Sequence, residues 1–301
     1  MLSRIAESFF WIGRYVERAH STARLLAEHH QLMVEDRTVA EIDACSVLLE
    51  ALSLPDAKVQ TGVDLVRRVM GGGGQRSTVA GSVAAARENA RSVRDVLSGE
   101  VFEALNSTHL SLTRGIAYVD SPGVSLHRVV ERLLVVHGVV SWAMPRDEAF
   151  QFLKLGRSLE RIDMTSRLLA VGHDLLWPES GPVATLRAGA AYSAMLRTGV
   201  AVDGDSVREF YVLDPSFPRS MRRSAVEAEE SVRDLGLLGA GDGGALLREV
   251  GLLRSALEYA VDPSPDEVDR LAVMARDSAA TASDIANDAF FRQSGTIVWS
   301  H

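Results

Sequence analysis

Cysteine is almost missing from this chain. Cys45 stands alone among 301 residues, so no intrachain disulfide can form, and a reducing, cytoplasmic compartment is the expected setting. Long apolar runs are missing too. No stretch reaches the roughly 18 apolar residues that a membrane span needs. Charges interrupt the opening Met1-Leu2-Ser3-Arg4-Ile5-Ala6-Glu7, so no signal-peptide core is expected. Basic charge is in deficit: 32 Lys and Arg face 40 Asp and Glu, a net charge of −8. That balance argues against a general nucleic-acid or anionic-membrane binder. Runs of alternating apolar and polar residues are lacking, which argues against strands. The glycine run Gly71–Gly74 lacks the Gly-Lys-Ser/Thr and the preceding strand of a phosphate loop. No Gly-x-Ser-x-Gly elbow and no dinucleotide fingerprint occurs. His29-His30 and the His127/Glu131 pair do not extend to a metal-ligand pattern, so neither a metal nor a cofactor is expected.

What is present is helical periodicity. Leu2, Ile5, Phe9, Ile12, Val16, Ala19, Ala23 and Leu26 follow an alternating 3–4 spacing, which predicts one long helix to about residue 34. Phe152, Leu155, Leu159, Ile162 and Leu169 mark a second, closed by Trp177-Pro178. Further helices are expected over Val83 to about Leu97, Leu126 to about Trp142, Arg222 to about Leu235, Ala245 to about Tyr259 and Asp266 to about Arg292. Ser264 is the expected N-cap of the last, with Pro265 in its first turn. Asp214 or Ser216 is expected to cap the helix that follows the turn Phe210–Ser220. Cys45 lies in an apolar helix-like run with Ile42, Val47, Leu48 and Leu49, the pattern of a buried inert thiol. Gly71–Gly74 is expected to be a flexible loop.

The two long helices resemble each other. Residues 9–30 and 152–173 align at a constant offset of 143 and are identical at 11 of 22 positions, including the ordered core Gly-Arg-x-x-Glu-Arg. Arg76-Ser77 matches Arg219-Ser220 at the same offset. Glu88 and Ser92–Asp95 match Glu227 and Ser231–Asp234 at an offset of 139. The expected architecture is therefore all-α: a long-helix bundle of two quasi-symmetric sequence repeats, about 2–145 and 146–301, forming a single domain over 1–301.

A mid-helix glycine costs about 1 kcal/mol relative to alanine, so Gly13 and Gly156 mark a close approach by other backbone or a ligand. Glu17 and Glu160 follow one turn later and need partners if buried. Arg14/Arg18 and Arg157/Arg161 are like-charged i,i+4 pairs, tolerable where a carboxylate or a bound anion lies between them. Two readings stand. In one, Glu17 and Glu160 pair with arginines of other helices, among them Arg87, Arg91, Arg94 or Arg222, and fix the bundle register. In the other, two Glu/Arg sets grip a carboxylate, phosphate or peptide terminus. The candidate binding residues are Arg14, Glu17, Arg18, Arg87, Glu88, Arg91, Arg157, Glu160, Arg161 and Arg219; no catalytic residue is assigned.

Together these segments resemble the alpha-E domain family of bacterial all-helical proteins. The resemblance rests on Met1-Leu-Ser-Arg, Trp11-Ile-Gly-Arg-Tyr-Val-Glu-Arg18, Arg87-Glu-Asn-Ala-Arg-Ser-Val-Arg-Asp95, Leu155-Gly-Arg-Ser-Leu-Glu-Arg161 and Leu213-Asp-Pro-Ser-Phe-Pro-Arg-Ser220. It implies association with a circularly permuted ATP-grasp ligase and with transglutaminase-like proteins. The expected role is that of a helical partner or accessory of a peptide- or amide-forming ligase system. The alternatives are an enzyme of the same pathway using Glu17 and Glu160 as acid/base groups, or a scaffold.

Overall fold

The computed structural model describes residues 1–54, 58–71, 75–113 and 122–292. Gly72, Gly73 and Gly74 of the expected flexible loop lie outside them. The described helices are α1 (Ser3–Glu35), α2 (Glu41–Ala51), α3 (Gly62–Met70), α4 (Val79–Ser92), α5 (Gly99–Thr113), α6 (Pro122–Ala143) and α7 (Glu148–Ala170). They continue as α8 (His173–Leu176), α9 (Gly181–Ala188), α10 (Tyr192–Thr198), α11 (Gly204–Leu213), α12 (Met221–Leu237), α13 (Gly244–Glu258) and α14 (Pro265–Ala286), closed by a π-helical turn, Asn287–Phe291. No strand occurs among the described residues, and none of their helices is long and apolar enough to cross a membrane.

Local chemistry sets the helix starts. The Asp147 carboxylate accepts from the Phe150 N–H at 3.2 Å and opens α7. Ser264 caps α14 with Pro265 in its first turn, as expected. For α12 the cap is Ser220, whose Oγ accepts from the Arg223 N–H. Asp214 instead folds the preceding turn, accepting from the N–H groups of Ser216 and Phe217. The expected helix from Val83 begins earlier, because Thr78 caps it, and ends at Ser92, before Arg94 and Asp95.

α1 and α7 form the spine. Their contacts join residues separated by about the same interval all along: Gly13 to Leu153, Phe10 to Gly156, Glu17 to Arg161 and His29 to His173. Two helices that meet this way run parallel and in register. The glycines permit the approach. A Cβ on Gly13 would overlap the carbonyl oxygen of Leu153, and a Cβ on Gly156 would overlap that of Phe10. Each glycine thus seats the backbone of the opposite helix.

Two apolar clusters surround the spine. One gathers Phe9, Phe10, Ile12 and Val16 of α1 and Phe152, Leu159 and Ile162 of α7 with the inner faces of α12, α13 and α14. Phe290 and Phe291 of the π-helical turn close it against Phe152 and Phe10. The other gathers Ala19, Ala23 and Leu26 of α1 and Met164 and Leu168 of α7 with α2, α3, α9 and α11. Burying each Leu or Phe contributes roughly 2–3 kcal/mol, so both clusters are substantial. Between Val16 and Ala19, and between Leu159 and Ile162, lie Glu17-Arg18 and Glu160-Arg161. On α1 the charged layer falls where the helix passes from one cluster to the other; on α7 it lies just before that passage, which falls between Ile162 and Met164.

Candidate functional site

Residues i and i+1 of a helix point about 100° apart, so a Glu and the Arg after it do not face each other. A second parallel helix in register resolves this. Arg161 Nη2 on α7 donates to Glu17 Oε2 on α1 at 2.9 Å. Reciprocally, Arg18 on α1 grips Glu160 on α7 with Nε to Oε1 at 2.5 Å and Nη2 to Oε2 at 3.0 Å. Both carboxylates are wholly buried.

The two sides differ in their further partners. On the Glu160 side, Arg14 Nε adds a bond to Oε2 at 2.7 Å, and its Nη1 donates to Ser283 Oγ of α14 at 2.7 Å. Arg14 also lies 5.3 Å from the Trp11 ring centre and Arg18 5.8 Å from that of Tyr15. The like-charged pair Arg14/Arg18 is tolerated because both converge on one carboxylate. On the Glu17 side, Arg219 from the α11–α12 connection donates to Oε1 at 2.9 Å, and Ser21 Oγ donates to the same oxygen at 3.0 Å. Arg219 Nη2 also donates to Ser21 Oγ at 2.6 Å. His137 of α6 places Nε2 3.9 Å from Glu17 Oε2. Arg157, the counterpart of Arg14, turns instead to Glu227 of α12 at 3.5 Å, where Arg223 approaches from the far side at 3.7 Å.

Burial pushes the Glu17 carboxyl up, but the Arg161 and Arg219 guanidiniums, followed by His137 and His20, more than reverse it. Glu17 is held well below the usual carboxylate range and is ionised at neutral pH. Burial, reinforced by Arg219 and His137, holds His20 well below the ordinary histidine value. Burial likewise lowers His137 to about 4, although Glu17 pulls the other way. Both rings are therefore neutral, with centres 5.3 Å apart.

The expected residues thus divide. Arg14, Glu17, Arg18, Arg157, Glu160, Arg161 and Arg219 come together at the α1–α7 spine. Arg87, Glu88 and Arg91 sit on α4, where Glu88 pairs with both arginines and Arg87 Nε donates to Asn106. The expected partners of the buried glutamates are also different. Arg94 lies over the Phe102 ring, and Arg222 reaches the Leu213 carbonyl. Short-range geometry explains this: the motif arginines already lie opposite the glutamates, one turn away or less. His137, Arg223 and Glu227 belong to the site without having been singled out for it, whereas His20 shares the Gly13–Glu17–Arg24 face of α1 at helical spacing and was legible there. Glu227 carried a signal, its alignment with Glu88; His137, among the apolar residues of α6, carried none. Among the described residues no three His, Cys, Asp or Glu side chains are grouped to hold a metal ion.

The family model Alpha-E, a predicted alpha-helical domain with a conserved ER motif, matches residues 1–291. The chain belongs to the Alpha-E family. No curated protein and no solved structure matches it. In this Alpha-E chain the Glu-Arg dipeptides at 17–18 and 160–161 serve one another, and the glycines four residues before each glutamate bring the helices close enough for that exchange.

Proposed function

We propose that this Alpha-E chain is a non-catalytic helical partner of an ATP-grasp peptide or amide ligase, presenting guanidiniums to an anionic substrate, product or partner group. The observation that carries this reading is the reciprocal Glu/Arg exchange. It holds Arg161 beside a buried, ionised carboxylate that Arg219 also reaches, while Arg157 stands alongside on Glu227. A preorganised guanidinium set suits recognition of carboxylate or phosphate. The ligase association rests on the family's setting. We also read the molecule as one domain of two quasi-symmetric halves, because the spacing of the α1–α7 contacts follows the offset of 143 at which the sequence aligns with itself.

The acid/base alternative gains nothing from Glu17, since a carboxylate held this low is a weak proton acceptor. The test is ATP turnover and product formation by the ATP-grasp ligase of the same organism, with and without this chain, beside a direct binding measurement. The reading expects complex formation and a changed rate or product, lost in Arg157→Gln. A chain that neither binds the ligase nor alters its turnover overturns it.

A further inference from the structure

α6 is apolar on both sides. Its inner side packs on α1 and α5 and brings His137 to Glu17. Its outer side carries Leu134, Val135, Gly138 and Trp142, a stripe at helical spacing that is exposed throughout. Trp142 is 92% exposed, more than any other large apolar side chain described. α14 packs on α7 and α13 as α6 packs on α1 and α5, yet its exposed side is charged, with Asp269, Arg270, Arg276, Asp277 and Asp284. Contact with water accounts for the face of α14 and not for that of α6. Single exposed apolar residues are ordinary, but a contiguous stripe headed by a bare Trp marks an interaction surface.

Gly138 indicates what kind of element approaches. Glycine in the body of a helix costs about 1 kcal/mol relative to alanine. Gly13 and Gly156 offset that cost by seating the backbone of a facing helix. A Cβ added at Gly138 would meet no described atom within 4 Å. The position suits the close approach of a helix from another molecule. The stripe also specifies which helix. Gly138 stands midway between Leu134 and Trp142. An antiparallel copy crossing at Gly138 sets Trp142 of each chain on Leu134 and Val135 of the other, so one sequence fills both ends. No Asp, Glu, Lys or Arg occurs from Leu133 to Pro145, so the stripe does not select a charged partner. Arg128 and Arg132 are exposed on the N-terminal half of α6. A parallel pair would set each against its own copy, whereas an antiparallel pair parts them. The area is also sufficient. Trp142, Leu134 and Val135 expose about 400 Å² per chain. Doubled by a two-fold axis and ringed by a polar rim of usual proportion, the interface buries roughly 1,400 Å², within the range of specific dimers.

We infer that a second copy of this chain docks on α6, antiparallel across a two-fold axis at Gly138, with Trp142 as the anchor. This pairing does not depend on the ligase partnership proposed above. The test is sedimentation velocity of the full chain across micromolar concentrations, where a dimer is expected. Trp142→Glu should weaken self-association about a hundredfold or more and leave the helical circular dichroism unchanged, because that side chain stands free of the fold. Leu175→Glu, at an apolar residue of α8 that is 78% exposed, should leave the dimer intact. Gly138→Ala should stabilise the dilute monomer yet weaken the dimer, a split that a role within one chain would not produce. Gly138→Cys should give a disulfide-linked dimer on mild oxidation, since residues at the crossing come within about 7 Å of their copies. Cys45 is buried and does not compete. A chain that stays monomeric throughout overturns the inference, as does a dimer that Trp142→Glu leaves intact or that Gly138→Cys does not link. A monomer that binds the ATP-grasp ligase and loses it in Trp142→Glu gives the face to that protein and likewise overturns the pairing.

Discussion

A buried histidine stays neutral when its surroundings supply no anion, and His29 and His173 show how the fold exploits that. Ala44 O lies 2.9 Å from His29 Nε2, so that nitrogen carries the proton. His29 Nδ1 then accepts from His173 Nε2 at 3.0 Å, and His173 Nδ1 accepts from Thr185 Oγ1 at 3.0 Å. Burial lowers His29 to about 4 and His173 to about 3. Both values lie below the ordinary 6.5, so the unfolded chain takes up protons first as pH falls. The stabilisation is complete above pH 6.5 and is lost progressively as pH falls towards 4. At pH 5 each histidine should cost about 2 kcal/mol relative to neutral pH. Urea midpoints at pH 7.5 and pH 5 check this, and equal midpoints would contradict it. Cys45, buried and pushed up to about 11, should not react with a thiol reagent until the chain unfolds. The buried, inert character of Cys45 was readable from its apolar neighbours. The His29–His173 bond was not, because it slips one place from the alignment of His30 with His173. Gly172, at φ 61°, follows the end of α7 while α1 continues.

At the scale of elements, the glycine positions decide how closely the spine packs. Gly13→Ala should destabilise by about 1–3 kcal/mol despite alanine's better helix propensity, because the new methyl meets the Leu153 carbonyl rather than a movable side chain. Chemical denaturation reads the sign, and a stabilised variant would refute the close approach. Ser264→Ala should cost about 1 kcal/mol through the lost cap of α14. The long helices were legible because an apolar stripe repeated over many turns has one reading, and because mid-helix glycine has few other uses. The short helices α3, α9, α10 and α11 were not drawn from the sequence. A helix of two or three turns shows too few repeats of its apolar period to stand out, and its place is set by what it packs against. α5 escaped for a related reason: its buried positions, Val101, Leu105, Thr108 and Leu112, include a threonine that blurs the stripe.

At the scale of the molecule, the Glu/Arg exchange ties α1 to α7 where two apolar clusters meet. The pattern of the site was legible in the doubled Gly-Arg-x-x-Glu-Arg, but the pairing was not. Sequence spacing says which side chains share a helix face, not which helix lies opposite, and only a parallel, in-register neighbour makes Glu17 the partner of Arg161 rather than of an arginine on α4 or α12. Exchange of this kind leaves each dipeptide dependent on the other helix for its counter-charge, so the coupling between the two dipeptides is the quantity on which the account depends. A double-mutant cycle on Glu17→Gln and Arg161→Gln, read by urea unfolding of the full chain, measures it directly. The expected result is that each single change costs roughly 3–5 kcal/mol, by leaving a buried group without its counter-charge, and that the double variant loses much less than the sum, with a coupling of about 2–3 kcal/mol. Costs that add to within about 0.5 kcal/mol would contradict the exchange and leave the two glutamates as independent buried charges.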